Sequence, residues 1–186
     1  RKRRNEARTM TYTQHYDSPL GGILLAADEE GLTGLWFDGQ KYFARTLPKE
    51  YAESETPVLC EAKRWLDIYF SGREPDFTPP LHPEGSAFQQ AVWALLLEIP
   101  YGETTTYGAL ARKLAEKQGL THMSAQAVGG AVGHNDISLI IPCHRVVGAN
   151  GSLTGYAGGV DKKIKLLELE RADMKSFFVP KKGTAL

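Results

Sequence analysis

Cysteine is scarce in this chain: of 186 residues only two, Cys60 and Cys143, carry a thiol. They lie far apart in unlike surroundings, so no disulfide framework is expected. Cys60, His15 and His82 are scattered without the spacing of a zinc site, and no metal is expected. No apolar run approaches the roughly 20 residues of a membrane-spanning helix, and no signal-peptide pattern is present, which argues against a membrane partner. Net charge is lacking too, 22 basic residues matching 22 acidic ones. The balance is uneven along the chain. Arg1, Lys2, Arg3, Arg4 and Arg8 against Glu6 give the first nine residues a net +4, which leaves the remainder at −4. Met10 reads as a natural start. Residues 1–9 then read as an upstream remnant or added basic tail without structure, the alternative being an arm for nucleic acid.

What is present suffices for a real core: 42% hydrophobic and 10% aromatic residues support one large domain or two small ones. A free thiol fits a reducing compartment, so a cytoplasmic location is expected. Residues 11–17 alternate loosely, Ser18 to Gly22 reads as a turn, and the apolar runs 23–27 and 32–37 flank the hairpin signal Asp28-Glu29-Glu30-Gly31. Together they predict a small antiparallel meander. Residues 49–56 read as polar loop. Val58, Ala62, Trp65, Leu66 and Tyr69 fall at helical spacing, predicting a helix over 58–70 that packs on the sheet. Cys60 reads as a packing residue or an inert surface thiol. This half shows no recognisable chemistry and is expected to serve as scaffold. The proline-rich stretch 71–83 is the natural boundary. The expected division is thus a tail over 1–9, a scaffold domain over 10–82, a second domain over 83–175 and a tail over 176–186.

In the second half Ser86 is the expected cap of a helix over 87–98, with Phe88, Val92, Leu95 and Leu96 on one face. Thr106 caps a helix over 107–117 whose stripe is Leu110, Ala111 and Leu114. After the turn 119–123, Ser124 caps a third helix over 125–132. Helix, short glycine-containing turn and helix make a helix-turn-helix pattern. The second helix lacks the long polar side chains that read a major groove. Its Ala125, Ala127, Val128, Gly129 and Ala131 suit close approach to a minor groove, or, alternatively, tight packing in a core. Beyond it the strand-like run 137–141 meets Pro142, which cannot continue a sheet ladder, and Cys143 follows beside His144 and Arg145. A neighbouring base or cation lowers a thiol pKa and makes it nucleophilic. The plain alternative is a buried structural cysteine.

Ile141-Pro142-Cys143-His144-Arg145-Val146 is followed by Gly151-Ser152-Leu153-Thr154-Gly155-Tyr156-Ala157-Gly158-Gly159, preceded by Ala127-Val128-Gly129-Gly130-Ala131 and Asn135, and continued by Leu166-Leu167 and Glu170. This order resembles the active-site block of the O-6-alkylguanine-DNA alkyltransferase family and extends from Phe88 to Glu170. The resemblance implies an α+β fold: a small N-terminal antiparallel sheet with a helix, ribonuclease H-like, then a mainly helical C-terminal domain with a winged-helix-like helix-turn-helix. It implies DNA repair by irreversible, single-turnover transfer of an alkyl group, methyl above all, from O-6-alkylguanine to a cysteine. O-4-alkylthymine stays open as a second lesion. No cofactor is implied, and the partner is alkylated double-stranded DNA held through its minor groove by a monomer.

Residue by residue, the resemblance makes Cys143 the alkyl acceptor, His144 its base through a water, and Glu170 the group that orients and stabilises the imidazole. Tyr107 would assist base rotation and donate toward N3, and Asn135 would be the hinge between recognition helix and active-site segment. The carbonyls of Cys143 and Val146 would accept from the exocyclic amine of guanine. Tyr156, the Ala157 N–H and Gly158 would line the alkyl and O-6 side. Thr106, Ser124, Ala125, Gln126, Ala127, Gly129 and Gly130 would meet DNA, and Arg145 would brace the fold. Ordinary roles stay open: core aromatics for Tyr107 and Tyr156, a solvated helix face for Glu170. Two positions depart from the family pattern. Gln126 stands where relatives carry an arginine, which implies a weaker hold on the opened duplex. Asp136 stands where many carry proline, and either repels phosphate or loosens the turn. Two rivals compete: a helix-turn-helix regulator with Cys143 as sensor, which the small-residue helix disfavours, and a cysteine hydrolase.

Overall fold

A computed structural model describes residues 9–181. The alternation at its start forms β1 (Tyr12–Ser18), which turns through Pro19 and Leu20 into β2 (Gly21–Ala27). Gly21 at φ +116° supplies the left-handed residue this tight turn requires, and Ser18 Oγ donates to its carbonyl at 2.6 Å. β3 (Leu32–Phe37) pairs antiparallel with β2. The expected loop 49–56 contains a further two-residue strand, β4 (Ala52–Glu53), which lies parallel to β1 and gives the sheet order β3-β2-β1-β4. β2 is covered on both faces. Ile23, Leu25 and Ala27 join the main core, while Leu24 and Ala26 join Trp36 beneath Ala44 and Leu47.

α1 (Pro57–Phe70) packs on this sheet, with Pro57 tolerated in the first turn and Thr56 accepting from the Leu59 N–H at 3.3 Å. Its buried stripe is Leu59, Ala62, Trp65, Leu66 and Tyr69; Leu59 takes the place expected for Val58, which is half-buried. The proline-rich crossing runs along β3, Pro80 accepting from Leu32 and His82 donating back to it.

Ser86 and Gln89 form a reciprocal capping box at α2 (Ala87–Leu96), shorter by two residues than expected. Trp93, absent from the predicted face, is buried and donates from Nε1 to the Ala131 carbonyl at 2.9 Å. β5 (Thr105–Thr106) leads into α3 (Tyr107–Lys117), capped by Thr106, and α4 (Ala125–Gly133) is capped by Ser124. β6 (Val146–Val147) pairs parallel with β5, and α5 (Val160–Leu169) closes the fold. One apolar core runs from Ile23 and Leu25 of the sheet through Val92 and Leu96 to Val128 and Leu166. The fold is α+β.

Two segments differ from expectation. The run 137–141 is no strand: beyond a single bridge between Ile137 and Leu35 it folds into a buried turn, with Leu139 at φ +71°. The stretch expected as a C-terminal tail begins with pairing, since Phe178 bonds to Gly151 and Leu153 through its backbone; residues 182–186, like the basic stretch 1–8, lie outside the described residues. Among the described residues no helix is long and apolar enough to cross a membrane, and no group of three His, Cys, Asp or Glu is placed to hold a metal ion.

Candidate active site

Asn135, just past α4, shapes the turn that carries the thiol. Its Oδ1 accepts from the Ile137 N–H at 3.0 Å, and its Nδ2 donates to the carbonyls of Ile137 at 3.3 Å and Ile141 at 2.8 Å. The side chain thus does the work of a missing ladder, which is why an apolar run folds as a turn. Pro142, at φ −83° and ψ 65°, is the centre of an inverse γ-turn closed by the Cys143 N–H on the Ile141 carbonyl at 2.8 Å. A single 3-10 turn, Cys143–Arg145, follows, and all three of its side chains are buried.

Glu170, the residue that ends α5, gathers these groups. Its Oε2 lies 2.5 Å from His144 Nε2 and accepts from the Tyr69 hydroxyl at 2.6 Å. Its Oε1 accepts from Arg145 Nε at 2.7 Å and from the Gly102 N–H at 3.1 Å. Burial alone would raise this carboxyl; the bonds and charges of His144 and Arg145 outweigh burial and hold it down to about 2. An ionised carboxylate only accepts, so the neutral imidazole carries its proton on Nε2, leaving Nδ1 as the basic nitrogen. Nδ1 is buried without a hydrogen-bond partner. Burial lowers the His144 imidazole against the pull of Glu170.

Cys143 is 7% exposed. Burial pushes its thiol up, against opposing contributions from Asn135 and Lys163, so the balance at rest favours the thiol over the thiolate expected from its neighbours. Lys163 is fully buried and donates from Nζ to the carbonyls of Val146 at 2.5 Å and Thr154 at 2.9 Å. Burial brings this ammonium down to about 8, partly offset by Cys143. The Val146 carbonyl expected to accept from guanine therefore already has one donor, with a second lone pair left. Tyr107 is buried and pushed up to about 12 by burial, its hydroxyl 3.4 Å from the Thr154 carbonyl. The Tyr156 ring stands edge-on to His144 at 6.4 Å and lies against Gly158, where a Cβ would come within 2.9 Å of it.

The structure thus brings Cys143, His144, Glu170, Asn135, Tyr107, Val146 and Tyr156 together, with Ala157 and Gly158 half-buried beside them. The outer face of α4 exposes Ser124, Ala125, Gln126, Ala127 and Gly130. Gly129 is a correction: helical periodicity turns it inward, a Cβ there lying 3.5 Å from the Tyr107 ring, so it is packing rather than surface. Thr106 and Ser124 spend their hydroxyls on the N–H groups of Ala109 and Ala127. Asp136 neither loosens the turn nor faces outward; it is 4% exposed and paired with Arg45. Sequence reasoning missed Lys163 and Tyr69. The signal for Lys163 was present: Lys163, Leu166, Leu167 and Glu170 share one helical stripe, with two charges at its ends. Tyr69 also corrects the view of the N-terminal half as scaffold alone, since α1 supplies a donor to Glu170.

Residues 87–172 match the family model described as 6-O-methylguanine DNA methyltransferase, DNA binding domain, and residues 11–83 match its ribonuclease-like domain. The chain is 47% identical over 160 residues to the methylated-DNA-protein-cysteine methyltransferase of Methanosarcina acetivorans, covering 86% of this chain and 97% of that protein. The chain belongs to the 6-O-methylguanine DNA methyltransferase family. A second methyltransferase of this family, from Haemophilus influenzae, is 43% identical over 164 residues, 88% of either chain. The crystal structure of Mycobacterium tuberculosis OGT in complex with DNA superposes with a TM-score of 0.74 at 40% identity, over 86% of this chain and 92% of that one. Against these methyltransferases, the buried cysteine with its His–Glu pair is the natural place to look for the chemistry.

Proposed function

We propose that this chain repairs alkylated duplex DNA by direct reversal, with Cys143 as the alkyl acceptor. The observation that carries the reading is a buried cysteine followed directly by the buried His144–Glu170 pair, with His144 Nδ1 left without a hydrogen-bond partner. The O-6 atom of guanine is shielded within the duplex, so the nucleotide must swing out into the pocket. Inside, the Cys143 proton passes to His144 Nδ1 through a water, and Glu170 stabilises the imidazolium that forms. The Sγ–carbon bond forms as the carbon–O-6 bond breaks, and the electron pair leaves with guanine. Tyr107 donates a proton toward N3 of the departing base and is reprotonated from solvent, while the proton on His144 leaves to solvent. The net change moves one alkyl group to sulfur and one proton to guanine.

Asn135 fixes the turn that presents the thiol, and Lys163 supplies a buried positive charge facing it. Tyr156, the Ala157 N–H and Gly158 line the alkyl side. The outer face of α4 enters the minor groove, Gln126 filling the gap left in the stack by the flipped base without adding charge. A thioether does not reverse under these conditions, so each copy reacts once. The scaffold over 10–82 and the DNA-binding part over 83–175 act together as a cytoplasmic monomer.

Intact-mass measurement after mixing with duplex DNA containing O-6-methylguanine tests the reading. The expected result is one added methyl per protein, located on Cys143 and abolished in Cys143→Ser. Sustained ester turnover would favour a hydrolase instead, and sequence-dependent binding without mass change a regulator.

A further inference from the structure

The N-terminal half touches the segments on either side of Cys143 at places the alkyl-transfer reading leaves without a role. Between β3 and β4, residues 38–47 form an irregular strap over the outer face of the sheet. Ala44 and Leu47 rest on Trp36, Leu24 and Ala26, and Phe43 meets the edge of the Trp36 ring at 6.4 Å. Gln40 pins the start of the strap, its Oε1 accepting from the Phe37 N–H at 2.8 Å. Two non-glycine residues, Tyr42 at φ +60° and Ala44 at φ +53°, hold left-handed backbone, a conformation that persists only where surroundings impose it.

The strap contacts two segments that flank Cys143 in the chain. On one side, Arg45 donates to Asp136 Oδ2 at 2.6 Å, while Trp36 Nε1 donates to Oδ1 at 3.3 Å and the Leu35 N–H bonds to the Asp136 carbonyl at 2.8 Å. Asp136 follows directly on Asn135, whose side chain shapes the thiol turn. Tyr42 stacks on His134 at 4.4 Å between ring centroids, and His134 caps α4 while donating to the Gly130 carbonyl. On the other side, the Lys41 N–H donates to the Ala157 carbonyl at 3.0 Å, and Ala157 belongs to the loop on the alkyl side. One ten-residue segment is therefore bonded both to the turn at His134–Asp136 and to the loop at Ala157, which precede and follow Cys143.

We infer that this strap sets the spacing between the two walls of the pocket, and that Arg45 and Asp136 are positioning residues for alkyl transfer. The ion pair explains why an acid can stand beside the hinge of a DNA-binding protein: its charge is neutralised within the fold. Arg45 itself is exposed at 38% of its side chain while Asp136 is exposed at 4%, so the arginine can be replaced without opening the core. The lone buried carboxylate left behind then has every reason to move, and the Asn135 turn moves with it.

The inference rests on Cys143 being the acceptor, and the test separates the two. Rates of single-turnover transfer to Cys143 are followed by intact mass, well below the melting temperature, with the free base O-6-benzylguanine and with duplex DNA bearing O-6-methylguanine. Arg45→Ala and Asp136→Asn are each expected to slow both reactions about tenfold, since small misplacements of reacting groups cost rate steeply. The double variant should be no slower than the slower single one, and Arg45→Lys should keep most of the rate. Unchanged rates in Arg45→Ala would overturn the inference, as would a loss confined to DNA, which makes Arg45 a phosphate contact. If the wild-type chain gains neither the methyl nor the benzyl group, the acceptor reading fails first.

Discussion

Replacing Glu170 with glutamine removes one charge from a carboxylate whose side chain is fully buried and which four donors address. Two routes give the size of the effect. Holding the carboxyl at about 2 rather than its usual 4.5 is a stabilisation of roughly 3 kcal/mol, at about 1.4 kcal/mol per pH unit. Breaking a buried pair by deleting one partner costs about 3–5 kcal/mol, here because the Arg145 guanidinium keeps only the Ile99 carbonyl as a strong acceptor. The routes agree, and for a chain of this size the loss corresponds to a melting temperature lower by about 6–12 °C. Because the folded pKa is depressed, the contribution is complete above pH 4.5 and is lost as the pH falls toward 2. Urea unfolding of both proteins in steps from pH 7 to pH 3 reads this directly. The gap between them should be flat down to about pH 5 and narrow below it. A gap that persists unchanged on acidification, or no gap at pH 7, would refute the assignment of an ionised Glu170 at the centre of the site.

Lys163→Met removes the buried ammonium, so the Cys143 thiol should rise further; alkylation by iodoacetamide near neutral pH should slow about tenfold and its pH profile move upward. In the wild-type chain the same support fades as the pH passes about 8, where Lys163 loses its proton. Asn135→Ala strands the Ile137 N–H and deprives the Ile141 carbonyl of a donor, at a cost of about 2–4 kcal/mol seen as a lower urea midpoint together with slower transfer. Gln126→Arg places a cation on the exposed face of α4; duplex affinity should rise about three- to tenfold at low salt with a steeper salt dependence, while reaction with the free base stays unchanged. Equal DNA binding by the two proteins would count against α4 as the DNA surface.

Local physics was readable without coordinates. Ser86, Thr106 and Ser124 cap the helices they precede because capping depends on a hydroxyl three residues from its target N–H. The hairpin of β2 and β3 follows equally from its turn residues. The run 137–141 misled because apolar periodicity reports burial and not the source of backbone partners; those partners come from the Asn135 side chain. Tyr69 and Lys163 sit at inward stripe positions, where spacing alone cannot distinguish a packed residue from one whose polar end reaches Glu170 or Val146. Arg45 and Asp136 are separated by 91 residues, and their pairing is a property of the fold alone. The family motif pointed to Cys143 and His144 as the place for the chemistry, yet the thiol balance there depends on burial, which no motif states.

That balance has a consequence for the life of each molecule before it meets a lesion. Peroxides and soluble electrophiles attack the anionic, accessible form of sulfur, and here the sulfur is both protonated and enclosed. If each copy reacts once, as proposed, that single act is thereby kept from being spent on such reagents. Its shelf life, measured as the slow loss of titratable Cys143 under mild oxidant, should outlast that of the open thiol at Cys60 in the same chain.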